Sequence, residues 1–454
     1  MANYNPGSAS EVDTSSADNP NTQANPTQSD SNSSADSKTH RYYALVLLTI
    51  VYSFNFIDRQ LLSILQEAIK ADLGLSDSQL GLLTGFSFAL FYVLAGIPIA
   101  KLADKHNRKN IIAIALFVWS FMTAISGFVQ NYLQLLLARI GVGVGEAGGS
   151  PPSHSIISDI FPPESRASAI GFYSTGVNIG ILFGFLLGGW LNEAFGWRTA
   201  FMVVGAPGIL LAFIVWFTLR EPIRGLNENR QTTGSEASFK AVLSLLWSLR
   251  SFKNLALGSA LTAFVSYGLV SWAASYMIRI HGMSTGELGS WLALIIGVGG
   301  AIGVFGGGVV ADKLAKKDKR WYVWLPALVG LIALPFIALF CLAETKYAAL
   351  AYMVIPSIFA NVYLGNVIAT THGLVGLRMR AMSSAILFLI LNIIGLGLGP
   401  WSVGLLSDYL QPTYQADSLR YAMLYILPAV SFWSICHFYF AGKTLREDLA
   451  NAPD

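Results

Sequence analysis

From residue 43 onward the chain is a succession of about twelve apolar runs, each near the twenty residues that cross a bilayer as a helix. The lysines and arginines between the runs crowd onto alternate loops. The runs fall at roughly 43–65, 79–103, 110–130, 132–157, 167–192, 199–219, 253–278, 288–312, 322–342, 348–373, 381–408 and 420–441. Basic clusters follow the second run (Lys101, Lys105, Arg108, Lys109), the sixth (Arg220, Arg224, Arg230, Lys240, Arg250, Lys253) and the eighth (Lys313, Lys316, Lys317, Lys319, Arg320). Loops on the other side carry only Lys70, Arg198, Arg279, Lys346 and Arg420. Basic loops stay on the cytoplasmic side, so this asymmetry predicts an all-α, multi-pass membrane protein with both termini in the cytoplasm. Short outward loops fit a bacterial inner membrane.

Composition supports that class and removes others. Hydrophobic residues make up 54% of the chain, charged residues 12%, and there are 43 glycines, as packed transmembrane helices require. The net charge of +3 then reports basic loops facing anionic lipid, and no nucleic-acid partner is expected. Cys341 and Cys436 both fall inside expected spans, so no disulfide is expected. The histidines and cysteines form neither a metal-ligand spacing nor a nucleophile–base arrangement, so the expectation is no metal, no cofactor and no enzyme. Gly143-Val-Gly145-Glu-Ala-Gly148 satisfies a dinucleotide fingerprint, but it lies inside an apolar span with Pro151-Pro152 behind it. Close helix approach and local bending are the better reading. Gly442-Lys443-Thr444 lacks the earlier glycine of a phosphate loop, because His437 stands there.

Two breaks in composition set the organisation. Residues 1–40, rich in Ser, Asn, Asp, Thr and Pro, are expected to form a disordered cytoplasmic tail. Without a basic start and an apolar stretch, this tail does not read as a cleavable signal peptide. A polar cytoplasmic linker at 221–252 separates an N-terminal bundle of six helices (41–220) from a C-terminal bundle of six (253–442), with 443–454 as a short tail. The halves echo each other: Ala100-Lys101-Leu102-Ala103-Asp104-Lys105 after the second run returns as Gly308-Val309-Val310-Ala311-Asp312-Lys313 after the eighth. Two such halves place a binding site near the midplane between them.

Four ionisable residues lie inside the first half: Asp58 and Arg59 in the first run, Arg139 and Glu146 in the fourth. A lone charge in mid-bilayer costs several kcal/mol, so such residues face a cavity or pair with one another. Arg139 and Glu146 are seven apart, on one helix face and about 10 Å apart in height. Asp58 and Arg139 lie at matching depth, which predicts an Asp58–Arg139 ion pair. Glu146 lies one or two turns deeper, within reach of only the long arms of Arg59 or Arg139. Glu146, with Asp58, is the expected proton-coupling pair, and Arg59 and Arg139 the expected substrate or ion-pair cations. A permanent ion-pair network that only fixes packing is the alternative. The seventh to eleventh runs offer Tyr267, Trp272, Tyr276, Asn361, Tyr363, Asn366, His372 and Asn392 but hardly an acid. Of these, Tyr267, Trp272, Asn361 and His372 are the candidate cavity lining. One charged wall and one neutral, aromatic wall suit an amphiphile with a polar head.

The segment Ala100–Lys109, with its weaker copy at Gly308–Lys317, resembles the signature loop of the major facilitator superfamily, although Ala100 and Asn107 stand where glycines are usual. Arg139-Ile-Gly141-Val-Gly143 and Gly399-Pro400 resemble two further motifs of that superfamily. Asn55-Phe-Ile-Asp58-Arg59, the segment Arg139 to Ala147, Ser158-Asp159-Ile-Phe161 with Arg166, and Arg220-Glu221-Pro222 together resemble spinster-type transporters. The likeness is dense over 55–225 and thinner beyond. It implies twelve transmembrane helices in two pseudo-symmetric six-helix bundles, the major facilitator fold. It also implies a monomeric secondary transporter that moves a lysolipid or sphingoid-type phosphate through the bilayer by alternating access, coupled to protons. A cytoplasmic gate built on Asp104 and Arg108, with Asp312 in the second copy, follows from the same likeness. The other readings are a proton-coupled exporter of drugs or small organic anions, and a nontransporting membrane sensor.

Overall fold

The computed structural model describes residues 29–224 and 238–453, with the side chains of 29–37 and of 377 outside the description. The described backbone is helical with short connections. A small leading unit, Met1–Tyr43, is helical where it is described, and the remainder, Ala44–Asp454, forms one large unit. Of the tail expected to be disordered over 1–40, residues 1–28 lie outside the described residues. Helix α1 (Ser29–Leu73) already begins before the expected boundary. Much of the expected linker, 225–237, is likewise outside the described residues.

Each helix in the first half starts or stops for a reason visible in the chain. α1 gives way to Gly74, which adopts φ +65°. α2 (Asp77–Lys105) opens on a capping box in which Ser76 and Gln79 satisfy each other's backbone N–H groups. α3 (Arg108–Ser126) and α4 (Tyr132–Glu146) are capped by Asn107 and Asn131. The fourth run does not continue as one helix over 132–157. It turns after Glu146 and restarts as α5 (Ser150–Ile160), where prolines at the first turn suit a helix start and would break an interior. α6 (Pro163–Thr218) carries two runs and breaks at Gly196, φ +79°.

After the short α7 (Phe239–Ser248) come α8 (Arg250–His281), α9 (Thr285–Ala315), α10 (Trp321–Leu342), α11 (Lys346–Gly373), α12 (380–414) and α13 (Ser418–Ala450). Among the described residues nine helical stretches are long and apolar enough to cross a membrane. Counting the breaks in α6 and between α12 and α13, and joining α4 with α5, they are consistent with twelve crossings. The outward surface is apolar, with Leu94, Phe117, Phe217 and Leu331 exposed, as expected where lipid is the solvent. Burial from water cannot drive helix association there, so small residues carry it by close approach. A Cβ on Gly180 of α6 would sit 2.4 Å from the Ser53 carbonyl oxygen of α1, and one on Gly145 of α4 2.8 Å from the Trp119 nitrogen of α3.

Candidate functional site: a cavity between the two halves

A cavity of about 570 Å³ lies between the N-terminal half, α1 to α6, and the C-terminal half, α8 to α13. One wall is a face of α1 carrying Tyr52, Phe56, Arg59 and Gln60, joined by Tyr92 of α2 and Ser150 and His154 of α5. Their spacing on α1 follows the helical repeat. The other wall presents Tyr267 of α8, Asn361 and Tyr363 of α11 and Asn392 of α12 among Val265, Leu269, Ile337, Phe388 and Leu391.

The charged groups meet on the first wall. Arg59 Nε donates to Glu146 Oε2 at 2.8 Å, and the guanidinium lies 4.8 Å from the ring centre of Phe88, 5.0 Å from Phe56 and 5.3 Å from Tyr92. The Arg59 side chain is 15% exposed and that of Glu146 0%, so the arginine faces the cavity and the carboxylate stands behind it. The expected Asp58–Arg139 pair is not formed. Asp58, 2% exposed, accepts from Thr123 Oγ1 at 3.0 Å. Arg139, also 2% exposed, lies 5.8 Å from the Phe88 ring centre with Nε and Nη1 unpartnered. Matching depth was insufficient because successive residues of α1 point about 100° apart. Arg59 takes the cavity side and Asp58 turns toward α3.

Tyr267 and Asn361 lie on the cavity wall. Trp272 does not: five residues on from Tyr267 it faces the protein interior, where its Nε1 donates to the Pro400 carbonyl at 2.8 Å. His372 does not either, since it lies in the last turn of α11 with Nε2 2.7 Å from Ser384 Oγ. Tyr52, Phe56, Gln60, Tyr92 and His154 were missed, though the first three share the helical face of Arg59. His154 carried no signal of its own in the sequence; its Nδ1 lies 3.0 Å from the Ser150 carbonyl and its ring meets Tyr173 edge-on.

At the end bearing the basic loops, the expected gate residues behave differently from one another. Arg108 is buried and donates to Glu221 Oε1 (2.7 Å), Ser155 Oγ (2.7 Å), Asp159 Oδ2 (2.5 Å) and the Pro222 carbonyl (3.1 Å). The Asp104 side chain is exposed, and Arg224 instead holds the carbonyls of Ala103, Asp104 and His106. Asp312 accepts from the Tyr322 hydroxyl at 3.3 Å. Nearby Asp318 pairs with Arg320 at 2.8 Å and Arg446 at 2.7 Å, and the Arg320 side chain foremost holds its carboxyl well below the usual range. These contacts each stay within one half.

The far end joins the halves. Arg279 of α8 forks onto both oxygens of Asp77 of α2 at 2.7 Å and reaches Glu67 Oε2 of α1 at 2.8 Å, with Lys70 also on Asp77. Ser275 of α8 donates to Gln66 of α1 at 3.1 Å. On α1 and on α8 the cavity-lining residues lie on the basic-loop side of these contacts. The cavity therefore sits between a closed far end and the basic loops.

A sequence model of the Major Facilitator Superfamily matches residues 48–400. A solved bacterial homolog to the human lysosomal transporter Spinster, in an inward-facing and unoccupied conformation, is 35% identical and aligns with a TM-score of 0.79 over 90% of this chain and 98% of that one. An MFS-type efflux pump of Mycolicibacterium smegmatis is 32% identical over 89% of this chain and 94% of its own. A probable galactarate/D-glucarate transporter of Bacillus subtilis is 29% identical over 62% of this chain and 66% of its own.

Proposed function

The chain belongs to the Major Facilitator Superfamily, a multi-pass membrane transporter resembling spinster and not an enzyme, and from that premise we propose that it moves an anionic amphiphile by proton-coupled alternating access. The observation that carries this reading is Arg59: an arginine turned into a cavity whose other surfaces are mainly aromatic and apolar, with amides, hydroxyls and His154 set among them. A lysolipid or sphingoid phosphate would place its head on Arg59 and its chain along Val265, Leu269 and Ile337. Its anion competes with Glu146 for the guanidinium. Glu146, displaced, stands near Arg139, whose Nε and Nη1 are unpartnered. Asp58, held by a hydroxyl and no arginine, is the carboxylate we assign to the transported proton, with Glu146 as the switch between substrate and protein.

The basic end is cytoplasmic on the positive-inside argument, which puts both termini in the cytoplasm and makes this state inward-facing, in the inner membrane. The bundles 41–220 and 253–442 move as two bodies with 221–252 as their tether. Asp104, with the network of Arg108, and Asp312 in the second copy close the cytoplasmic side in the alternate state. One chain contains the whole cavity, so a monomer suffices.

A second reading, export of drugs or small organic anions, draws on the relatives named as an efflux pump and a sugar-acid transporter. A polyhydroxylated acid needs polar partners around its whole length, which the apolar part of the cavity does not offer. A thermal-shift screen of the purified protein, followed by counterflow of the hits in proteoliposomes, separates the two. Lysolipid phosphates should stabilise and exchange, and Arg59→Gln should abolish both effects. Saturable exchange of sugar acids alone would overturn the amphiphile reading.

A further inference from the structure

The far end is closed by one small device used twice. Gly74-Leu-Ser76-Asp-Ser-Gln79-Leu80-Gly81 leads into α2, and Gly282-Met-Ser284-Thr-Gly-Glu287-Leu288-Gly289 leads into α9. The spacing between these copies is the same as that between Asp104 and Asp312, so the repeat marks both ends of the two helices. Gly74 and Gly282 both turn left-handed, at φ +65° and +63°. Ser76 and Ser284 both accept from the N–H three residues on, at 3.2 and 3.3 Å.

Each copy is received by the other half in the same way. Against α2 lies α12, where a Cβ on Gly404 would stand 2.3 Å from the Asp77 carbonyl oxygen. Four residues on, Asp408 accepts from the N–H groups of Asp77 and Ser78 at 2.9 and 2.8 Å. Against α9 lies the first part of α6, where a Cβ on Gly189 would stand 2.3 Å from the Thr285 carbonyl oxygen. Four residues on, Glu193 accepts from the Gly286 N–H at 2.7 Å. The last glycines of the copies close the fit, with a Cβ on Gly81 falling 2.6 Å from the Pro400 oxygen and one on Gly289 2.4 Å from the Phe185 oxygen.

We propose that these reciprocal caps are the lock of the far end: each half lends a glycine and a carboxylate to the helix start of the other, and both caps part when that end opens. A helix start presents unpaired N–H groups and the positive end of its dipole, which a carboxylate satisfies. Ser76 with Gln79, and Ser284, cap their helices from within, so α2 and α9 keep their first turns when the carboxylates leave. The glycine contacts leave no slack for partial sliding, which favours a closed or an open seam over a graded one. The copies differ in reinforcement. Around Asp408, Asp77 is also held by Arg279 across the seam. Around Glu193, Thr285 makes only neutral bonds, to Asn192 and the Gly189 carbonyl, both at 3.1 Å.

The opening step rests on the alternating-access reading, so the test is chosen to work without substrate. Spin labels at the exposed far-end positions Gln130 and Glu344, one in each half, are placed on the full chain with Cys341 and Cys436 replaced by Ser. The wild type should show one dominant separation. Glu193→Ala and Asp408→Ala should each add a longer one, raising the open-to-closed ratio about fivefold per cap, more for Glu193 because Asp77 and Arg279 still bridge the other copy. The double variant should exceed either. Unchanged distances in the double variant would overturn the lock while leaving the transport reading intact; longer distances with no exchange of any amphiphile would do the reverse. If the double variant does not fold, cysteines replacing Asn192 and Thr285 serve instead. Their oxidation should hold the closed separation under every condition and block exchange until reduced, and undiminished exchange while cross-linked would overturn the proposal.

Discussion

The two halves share a helical plan and a repeated pair of loop motifs, yet every charged side chain found deeply buried among the described residues lies in the first: Asp58, Asp77, Arg108, Arg139, Glu146 and Asp159. Among the described residues of the C-terminal half the buried polar groups are neutral, such as Asn366, Thr370 and Ser407. The duplicated scaffold supplies the contacts that join the halves at the far end, while the buried charge is concentrated in one copy. A buried charge is strongly state-dependent in its partners, whereas a neutral aromatic wall accepts many shapes. On the proposed reading, one half is thereby suited to coupling and the other to accommodating the substrate's apolar part.

The largest effect that sharpens this contrast is expected at Arg59. Arg59→Ala removes the hydrogen-bonded partner of the fully enclosed Glu146 carboxylate and leaves it only Arg139 nearby, and should destabilise the protein by about 3–5 kcal/mol, read as a fall in the unfolding temperature in detergent. Glu146→Ala should cost clearly less, because Arg59 can turn into the cavity. Equal losses would mean that the arginine is not the member facing water.

Next in size is Arg108 against its repeat counterpart Lys316. Arg108→Ala removes four donated bonds, among them the ion pairs to Glu221 and Asp159, an expected loss of about 2–4 kcal/mol. Lys316 is exposed, and Lys316→Ala should stay within about 0.5 kcal/mol. Similar losses at both positions would erase the asymmetry between the halves at the basic end. A smaller effect is expected at Asp104. Asp104→Asn should leave folding intact, since its side chain is exposed, and lower turnover several-fold by changing the balance of two states. Identical distances across the basic end in mutant and wild type would remove its gating role. Smallest is the neutral wall: Tyr267→Phe and Asn361→Ala should shift KM by a few fold with stability unchanged within about 1 kcal/mol and proton coupling kept.

Hydropathy and loop charge carried the crossings because lipid imposes length and basic loops impose side. The four charges were legible because mid-membrane charge is costly. Their pairing was not, since depth can be counted along a sequence and azimuth cannot. Depth alone therefore pairs Asp58 with Arg139, whereas Arg59 and Glu146 are the pair, and it cannot tell that Trp272 faces away from the cavity. Pro151-Pro152 signals the break after Glu146, but the apolar run continues through it and hydropathy alone predicts one helix. The far-end repeat from Gly74 and Gly282 stands in the sequence, but nothing local marks Asp408 and Glu193 as its partners in the other half. Contacts between halves join residues from 93 to 331 positions apart, and no local pattern announces them.

The central claim is that the first half couples an anion on Arg59 to a proton on Asp58. Proteoliposomes with an imposed pH gradient, loaded with a lysolipid phosphate, test it through Asp58→Asn, which mimics the protonated form without disturbing the Arg59–Glu146 pair. The account predicts that exchange across the membrane persists while uphill accumulation disappears. Full proton-driven accumulation by Asp58→Asn would contradict it.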